Sequence, residues 1–475
     1  MPNVERCGLL ATLLWLATLS AYGQTASQKP AENHEVAPPP APAAFSWDVT
    51  QRSRYASLRN QFRPGLTGND QAWAFRTTFR VGVPLGRVTL VGELQDARAY
   101  LTDTQSNVST ALVDAFDLLQ AHVHVRGGGA TRPFLPEVKA GRFSMELGSG
   151  RLVAQEAYRD VTRTFTGVRL NWQHAGHAIT SFAVLPVVTL PDDRQSLLEN
   201  RLAPDREHLG TRFWGVFYER ARLVREVRAE AYGFRLDEHD APGTQETRDR
   251  HIWTGGARAF RASKPQTLDL DVEAAGQTGG AHASTLPSDR RPLDVAAWFL
   301  HSSSGYTFGR AWLPRIGVEY DFGSGDEQPG DARWNRFDGL FGNRRVDLAA
   351  TSIYGALGRE NISTAGVRLS VAPAPRLDGF AVYRWVGLAA AADAFASTGV
   401  RDPGGHSGRD GGRQLDVRVR AWIVPQVLRV EAGLTHLTPG RFLRDAPNAT
   451  QGGRTTFAYA DVTYSVSGKW NRGSH

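Results

Sequence analysis

The chain has 475 residues, with 55 Lys and Arg against 48 Asp and Glu, a formal net charge of +7, 49 glycines and a single cysteine. That length suits two or three soluble domains or one large membrane barrel. A lone cysteine excludes an internal disulfide and a Cys-ligated metal centre.

The first element, at 1–23, is predicted to be a secretory signal peptide. Arg6 precedes the apolar run Gly8 to Leu19, and Ala21 and Gly23 are small residues at the spacing a signal peptidase needs. A transmembrane anchor is the competing reading, but the run is short and ends in polar residues. It contains the one cysteine, Cys7. Residues 24–43, QTASQKPAENHEVAPPPAPA, are too rich in Pro and Ala to pack a core and are expected to be a disordered lead-in. No later apolar run is long enough for a transmembrane helix.

From 44 to 470 the chain alternates apolar and polar residues in segments broken by turn residues. The period predicts strands at 45–54, 71–82, 86–97, 115–126, 136–146, 163–173, 177–188, 211–220, 223–236, 251–262, 266–278, 292–308, 312–323, 363–373, 376–388, 413–424, 427–437 and 455–470. The connections alternate too. Short ones, such as VPLG, HAG, Ala221-Arg222 and Pro425-Gln426, alternate with long ones, of which 324–362 is the longest; 127–135 is the one longer turn on the short side. That rhythm predicts an all-β fold, a transmembrane antiparallel up-and-down barrel of about 18 strands. A Greek-key sandwich has no reason for it, and a propeller needs a four-strand blade repeat that is not visible. Residues 471–475 form a polar tail.

A barrel of that size is too wide for wall side chains to fill, so a wet interior is expected. The polar face of each strand then points inward. In QLDVRVRAWIV, Leu415, Val417, Val419, Ala421 and Ile423 face lipid while Arg418 and Arg420 face the lumen. In QAWAFRTTFRVGV, Trp73, Phe75, Phe79, Val81 and Val83 face out. In LLQAHVHVR, Leu119, Ala121, Val123 and Val125 face out, with His122 and His124 inside. Trp172, Trp214, Trp253, Trp312, Tyr383, Phe457 and Trp470 sit near strand ends, where interfacial girdles form.

Three stretches resemble the alginate export family of Gram-negative outer membranes. They are DLLQAHVHV with EVKAGRFSMELGSGRLV, GVEYDFGSGDEQPGDARWNRFDGLFGNRR, and LDVRVRAWIVPQVLRVEAGLTHLTPGRFLRD, and together they span most of 115 to 445. The resemblance implies an eighteen-stranded barrel that lets an anionic polysaccharide leave the cell past an arginine-rich constriction. Arg142 and Arg151, in the matched GRFSMELGSGR, are the carried-over candidates. The chain departs from the pattern at its end, where NRGSH follows Trp470.

The inward arginines define a candidate anion path: Arg52, Arg54, Arg76, Arg80, Arg169, Arg418, Arg420 and Arg429, with Arg142 and Arg151 from the resemblance. Asp269, Asp271, Glu273, Glu319 and Asp321 form an opposing acidic wall. A basic wall in a confined pore enriches anions. Pairing of these arginines with neighbouring acids, to stiffen the wall, is the competing account. No catalytic constellation is visible, since adjacent His301 and Ser302 point to opposite faces. No cofactor is called for. A Ca²⁺ site at Asp326, Glu327, Asp331 and Asp338, and a metal at His122 and His124, are less favoured than a solvated loop and a wet lumen. The expected protein is a monomeric outer-membrane channel, not an enzyme. It would be inserted by the barrel assembly machinery, be surrounded by lipid and lipopolysaccharide, and not bind nucleic acid. A diffusion porin for small nutrients and an adhesin with a plugged lumen are the alternatives. The longest loop mixes Trp334, Phe337, Leu340 and Phe341 with four arginines, so RWNRFDGLFGNRR is expected to fold into the mouth, with Phe337 and Phe341 on the inner wall.

Overall fold

A computed structural model describes residues 44–66, 68–128, 135–155, 158–240, 246–286, 288–345, 347–450 and 453–470. The expected signal peptide, lead-in and polar tail lie outside the described residues. The strands are β1 (Phe45–Arg59), β2 (Asp70–Leu85), β3 (Val88–Tyr100), β4 (Asp114–Val125), β5 (Glu137–Phe143), β6 (Phe165–His174), β7 (His177–Val188), β8 (Arg206–Glu207), β9 (Arg212–Val224) and β10 (Val227–Asp237). They continue with β11 (His251–Arg261), β12 (Thr267–His282), β13 (Pro292–Thr307), β14 (Arg315–Gly323), β15 (Arg333–Trp334), β16 (Ile362–Ala374), β17 (Leu377–Gly387), β18 (Asp410–Val424), β19 (Leu428–Pro439) and β20 (Thr455–Trp470). β8 and β15 are two-residue pieces on loops, and the other eighteen form one closed antiparallel barrel. Closure runs from Phe45 opposite Trp470 to Arg59 opposite Thr456. It pairs every long strand on both sides, as a sheet in lipid requires. No described helix is long and apolar enough to cross a membrane.

The alternation sets the facing. Leu415, Val419 and Ile423 are exposed on the outside of β18, while Gln414, Asp416 and Arg418 are buried inside. Trp73, Phe79 and Val83 of β2 and Ile316 and Val318 of β14 continue the exposed apolar band. The short turns are tight because their residues reach left-handed φ: Ala175 (φ 49) and Gly176 (φ 79) join β6 to β7, as a type I′ hairpin needs.

Four expectations are corrected. Leu119 is buried, not lipid-facing, because a bulge shifts the register from Glu93–Gln120 to Leu94–Leu118 and turns Leu118 outward instead. Phe457 is fully buried in the lumen, stacked near Tyr354 (5.6 Å between ring centres), so it belongs to no girdle. β9 runs past Ala221-Arg222, and its turn is Arg225-Glu226. The lumen is not uniformly wet. At the long-loop end, Val108, Leu112, Ile353, Tyr354, Leu388 and Phe395 from loops pack on Ala56, Leu58, Ala72 and Ala74 of the wall. A second apolar cluster joins Met145, Leu147 and Leu152 to Phe182, Phe213 and Phe234. Strand number fixes the bore, but loops long enough to fold inward bury apolar surface there.

Candidate anion path through the lumen

The lumen is narrowed by two loops that hydrogen-bond to each other. The loop after β5, described over 144–155 and 158–164, turns inward at Gly148 (φ 56), where a Cβ would lie 2.6 Å from both Phe217 and Glu230 of the wall, so only glycine allows the approach. Phe341 N donates to Leu152 O (2.9 Å), Ala154 N to Phe341 O (3.0 Å) and Asn343 N to Gly150 O (2.8 Å). The segment 333–345 therefore lies inside the barrel. Phe337 stacks on Phe299 of β13 at 5.4 Å, and Phe341 packs on Phe165 (5.3 Å) and Phe213 (4.9 Å). A third loop, 388–409, holds the same segment from the other side, with Arg336 bonded to Asp393 and to the carbonyl of Ala394 (both 2.8 Å).

Most of the sequence-predicted arginines spend their charge on these loops or on the wall. Arg52 and Arg54, both 2 % exposed, reach Asp160 of the first loop (2.7 and 3.4 Å) and Asp461 of β20 (3.8 and 2.9 Å). Arg418 and Arg420 share Asp378 (2.6 and 2.9 Å). Arg142 binds Glu207 at 2.8 Å. Arg151 does not line a basic wall. Its guanidinium sits among the acids, on Asp271 (3.1 Å), Glu273 (2.8 Å) and Asp347 (2.8 Å). Burial alone would lower its pKa, but these carboxylates outweigh burial and hold it well above the ordinary value. The acidic wall is neutralised in turn. Asp269 meets Arg315, Asp271 meets Arg258, Glu319 meets Arg368 and Arg384, and Asp321 meets His301. The picture of opposed basic and acidic walls is therefore corrected to interlocked pairs. The physical reason is that inward loops bring carboxylates and guanidinium groups into bonding range in a dry space, where unpaired charge is expensive. Arg76, Arg80, Arg169 and Arg429 make no carboxylate pair among the described residues; Arg76 reaches the Arg159 carbonyl at 3.4 Å and Arg429 the Thr463 hydroxyl at 3.3 Å.

Neither weighed metal reading gains a site. Glu327 pairs with Arg409 (2.7 Å), Asp338 with Arg250 (2.5 Å), and His124 with Glu137 (3.2 Å), so those residues are spent separately.

What the strand pattern missed lies in the loops. A cavity of about 340 Å³ is lined by Arg63, Arg159, Arg163, Arg344 and Arg359, with Glu360 the one carboxylate on its wall among the described residues. Arg63 caps the carbonyls of Ile353 (3.2 Å), Tyr354 and Gly355 (3.3 Å), and burial pushes its pKa down to about 10. Arg344 bonds Ser397 (2.6 Å) and stands 3.6 Å from Glu360. Arg163 lies over the Phe341 ring at 5.7 Å. Arg359 grips Asp347 and the Asn343 carbonyl. Two signals were present in the sequence, RDVTR at 159–163 and NRR at 343–345, but the alternation that assigns strands says nothing of where a loop goes.

The model of the alginate export family matches residues 47–457. The chain belongs to the alginate export family. Among solved structures, it is similar to Pseudomonas aeruginosa OccK9 (OpdG), at 13 % identity and a TM-score of 0.57 over 89 % of this chain and 98 % of that one. It is also similar to P. aeruginosa OccK5 (OpdH), at 12 % identity and 0.55 over 90 % and 99 %. A third is P. aeruginosa OpdK with vanillate, at 13 % and 0.55 over 89 % and 99 %. At such identities the likeness establishes the fold alone, a closed antiparallel barrel of eighteen long strands. No curated protein matches the chain. This alginate-export barrel thus has a bore narrowed by its own loops.

Proposed function

We propose that this protein passes an acidic polysaccharide of the alginate type, or another acidic solute, across the outer membrane. The observation that carries the reading is the loop cavity with five arginines and one carboxylate. Guanidinium groups stay charged in confinement and fork to carboxylates, so such a cavity selects anions. Arg76 and Arg169, which make no carboxylate pair among the described residues, add positive charge to the wall, whereas Arg80 stands opposite Asp48 and Glu93 of its two neighbouring strands. The same reading has the chain exported by the leader at 1–23, inserted by the barrel assembly machinery as a monomer, and working as a channel rather than an enzyme. Movement of a polymer requires the segment 333–345 to leave the bore.

A second reading, a channel for small acidic solutes, is favoured by the cavity's volume, which lies at the low end of small-molecule sites. Efflux from liposomes separates the two. Export predicts that a charged oligouronate crosses faster than a neutral oligosaccharide of equal length. The small-solute reading predicts that only a monocarboxylate crosses. Equal, measurable rates for charged and neutral oligomers contradict both.

A further inference from the structure

At the long-loop end of the wall, three neighbouring strands bring histidines to one point. His239 follows β10, Asp249 precedes β11, His251 begins it, and His282 ends β12. The ladder continues past the strands to place them: Glu238 N donates to Arg250 O (2.8 Å) and His282 N to Arg248 O (2.6 Å). One ligand atom each from His239, Asp249 and His251 lies within 4.8 Å of the others. The rings of His239 and His251 are 5.0 Å apart.

His251 Nδ1 lies 3.0 Å from Asp237 Oδ1, an oxygen that also accepts from Arg235 Nε at 2.8 Å. A carboxylate can only accept, so His251 Nδ1 donates to Asp237, and His251 Nε2 faces Asp249 Oδ1 at 3.7 Å. His282 Nε2 stands 3.8 Å from the other oxygen, Oδ2. Both gaps are too long for a hydrogen bond. They are close to the roughly 3.3–3.5 Å that separates two ligands on a tetrahedral ion with bonds of about 2.0–2.1 Å. Asp249 holds a left-handed φ of 46, and its two carboxylate oxygens face His251 and His282.

We infer that His239, Asp249 and His251 bind a divalent transition-metal ion of the zinc class, with His282 as a further donor beside Asp249 and Asp237 as the positioning residue for His251. Nitrogen ligands with one carboxylate suit zinc, whereas calcium takes six to eight oxygens. The carboxylate behind a ligating histidine fixes its tautomer, the role Asp237 is placed to fill. The site also reaches the loop in the bore. Arg248 lies over the Trp334 ring at 4.1 Å, and Arg250 bridges Asp338 and Glu238, each at 2.5 Å. A metal on Asp249 therefore clamps the residues on either side of it, which hold the segment 333–345.

The test uses the full-length mature protein, without a histidine tag, refolded in detergent and stripped with chelator. Equilibrium dialysis against zinc alone should give one ion per chain, and cobalt in its place should show the intense visible bands of a four-coordinate site. His251→Ala and His282→Ala should bind at least tenfold more weakly, and Asp237→Asn about 10–100-fold more weakly. His436→Ala, elsewhere in the barrel, should bind as the parent does. The inference is overturned if the parent takes up no zinc at micromolar concentration, or if the site variants bind like the parent. If His251→Ala fails to fold by the heat-shift test, the exposed His239→Ala carries the same comparison.

Discussion

Replacing Phe337 with Ala removes one of the main contacts that seat the inner loop. Phe337 is 1 % exposed and stacks on Phe299 at 5.4 Å. Truncating a buried phenylalanine costs about 3–5 kcal/mol. Phe337 lies outside the strand ladders, so that cost falls on loop docking rather than on the barrel. At about 1.4 kcal/mol per tenfold, docking shifts by roughly 100- to 3,000-fold. Whether the open form then dominates depends on the remaining anchors, above all Arg336 on Asp393 and Arg250 on Asp338. Deletion of 333–345 removes both, along with Phe341. Single-channel recording in planar bilayers is the assay, with the heat-shift of the folded band as proof that the barrel survives. The expected order of conductance is parent below Phe337→Ala below the deletion. A deletion variant that folds and conducts like the parent refutes the claim that this loop narrows the bore.

Val419→Arg, on the exposed face of β18, should cost roughly 2–4 kcal/mol if it lies near the bilayer midplane, whereas Thr50→Arg on the lumen face should be tolerated; folding into vesicles under urea measures both, and equal tolerance contradicts the register. Gln414→Arg should not be tolerated despite facing inward, because Gln414 is fully buried against the Tyr354 hydroxyl and the Leu348 carbonyl. Arg151→Met leaves Asp347, Asp271 and Glu273 short of a cation and should loosen the loops by about 3–5 kcal/mol, seen as new protease cleavage within 144–164 or 324–361 while the barrel stays folded. Asp205, in the loop before β9, has its pKa pushed up to about 7 by burial and by the Asp117 carboxylate. Its folded pKa is above its unfolded one, so its contribution is full below about pH 4 and is lost as pH rises through 7. Asp205→Asn should therefore protect the 189–211 loop from proteolysis at pH 8 and make no difference at pH 3.5.

The wall was legible because its physics is local. Leu415 to Ile423 alternate with polar residues, and the spacing of short and long connections fixed strand number and the sided arrangement of loops. Leu119 was misplaced because a bulge inserts a residue without changing composition. The arginines show where legibility ends. The pleat alone says that Arg52, Arg54 and Arg418 point inward, but their partners Asp160, Asp461 and Asp378 are set by loop paths and by strand neighbours. Arg151 resembled a pore arginine by its place in GSGR, yet the turn at Gly148 carries it onto three carboxylates. The cavity arginines Arg63, Arg163 and Arg344 come from three loops with no shared period, so only the folded loops bring them together. The aromatic content of RWNRFDGLFGNRR was the exception: a loop with that much apolar surface must bury it, and the nearest dry surface is the inner wall.

The central claim, an anion path through the loop cavity, is tested most directly by reversal potential under a salt gradient in planar bilayers, comparing the parent with the Arg163→Gln and Arg344→Gln double variant. The account predicts anion preference in the parent and a reversal potential that moves toward zero in the variant, with the barrel still folded. Cation preference in the parent, or an unchanged reversal potential in the variant, would contradict it.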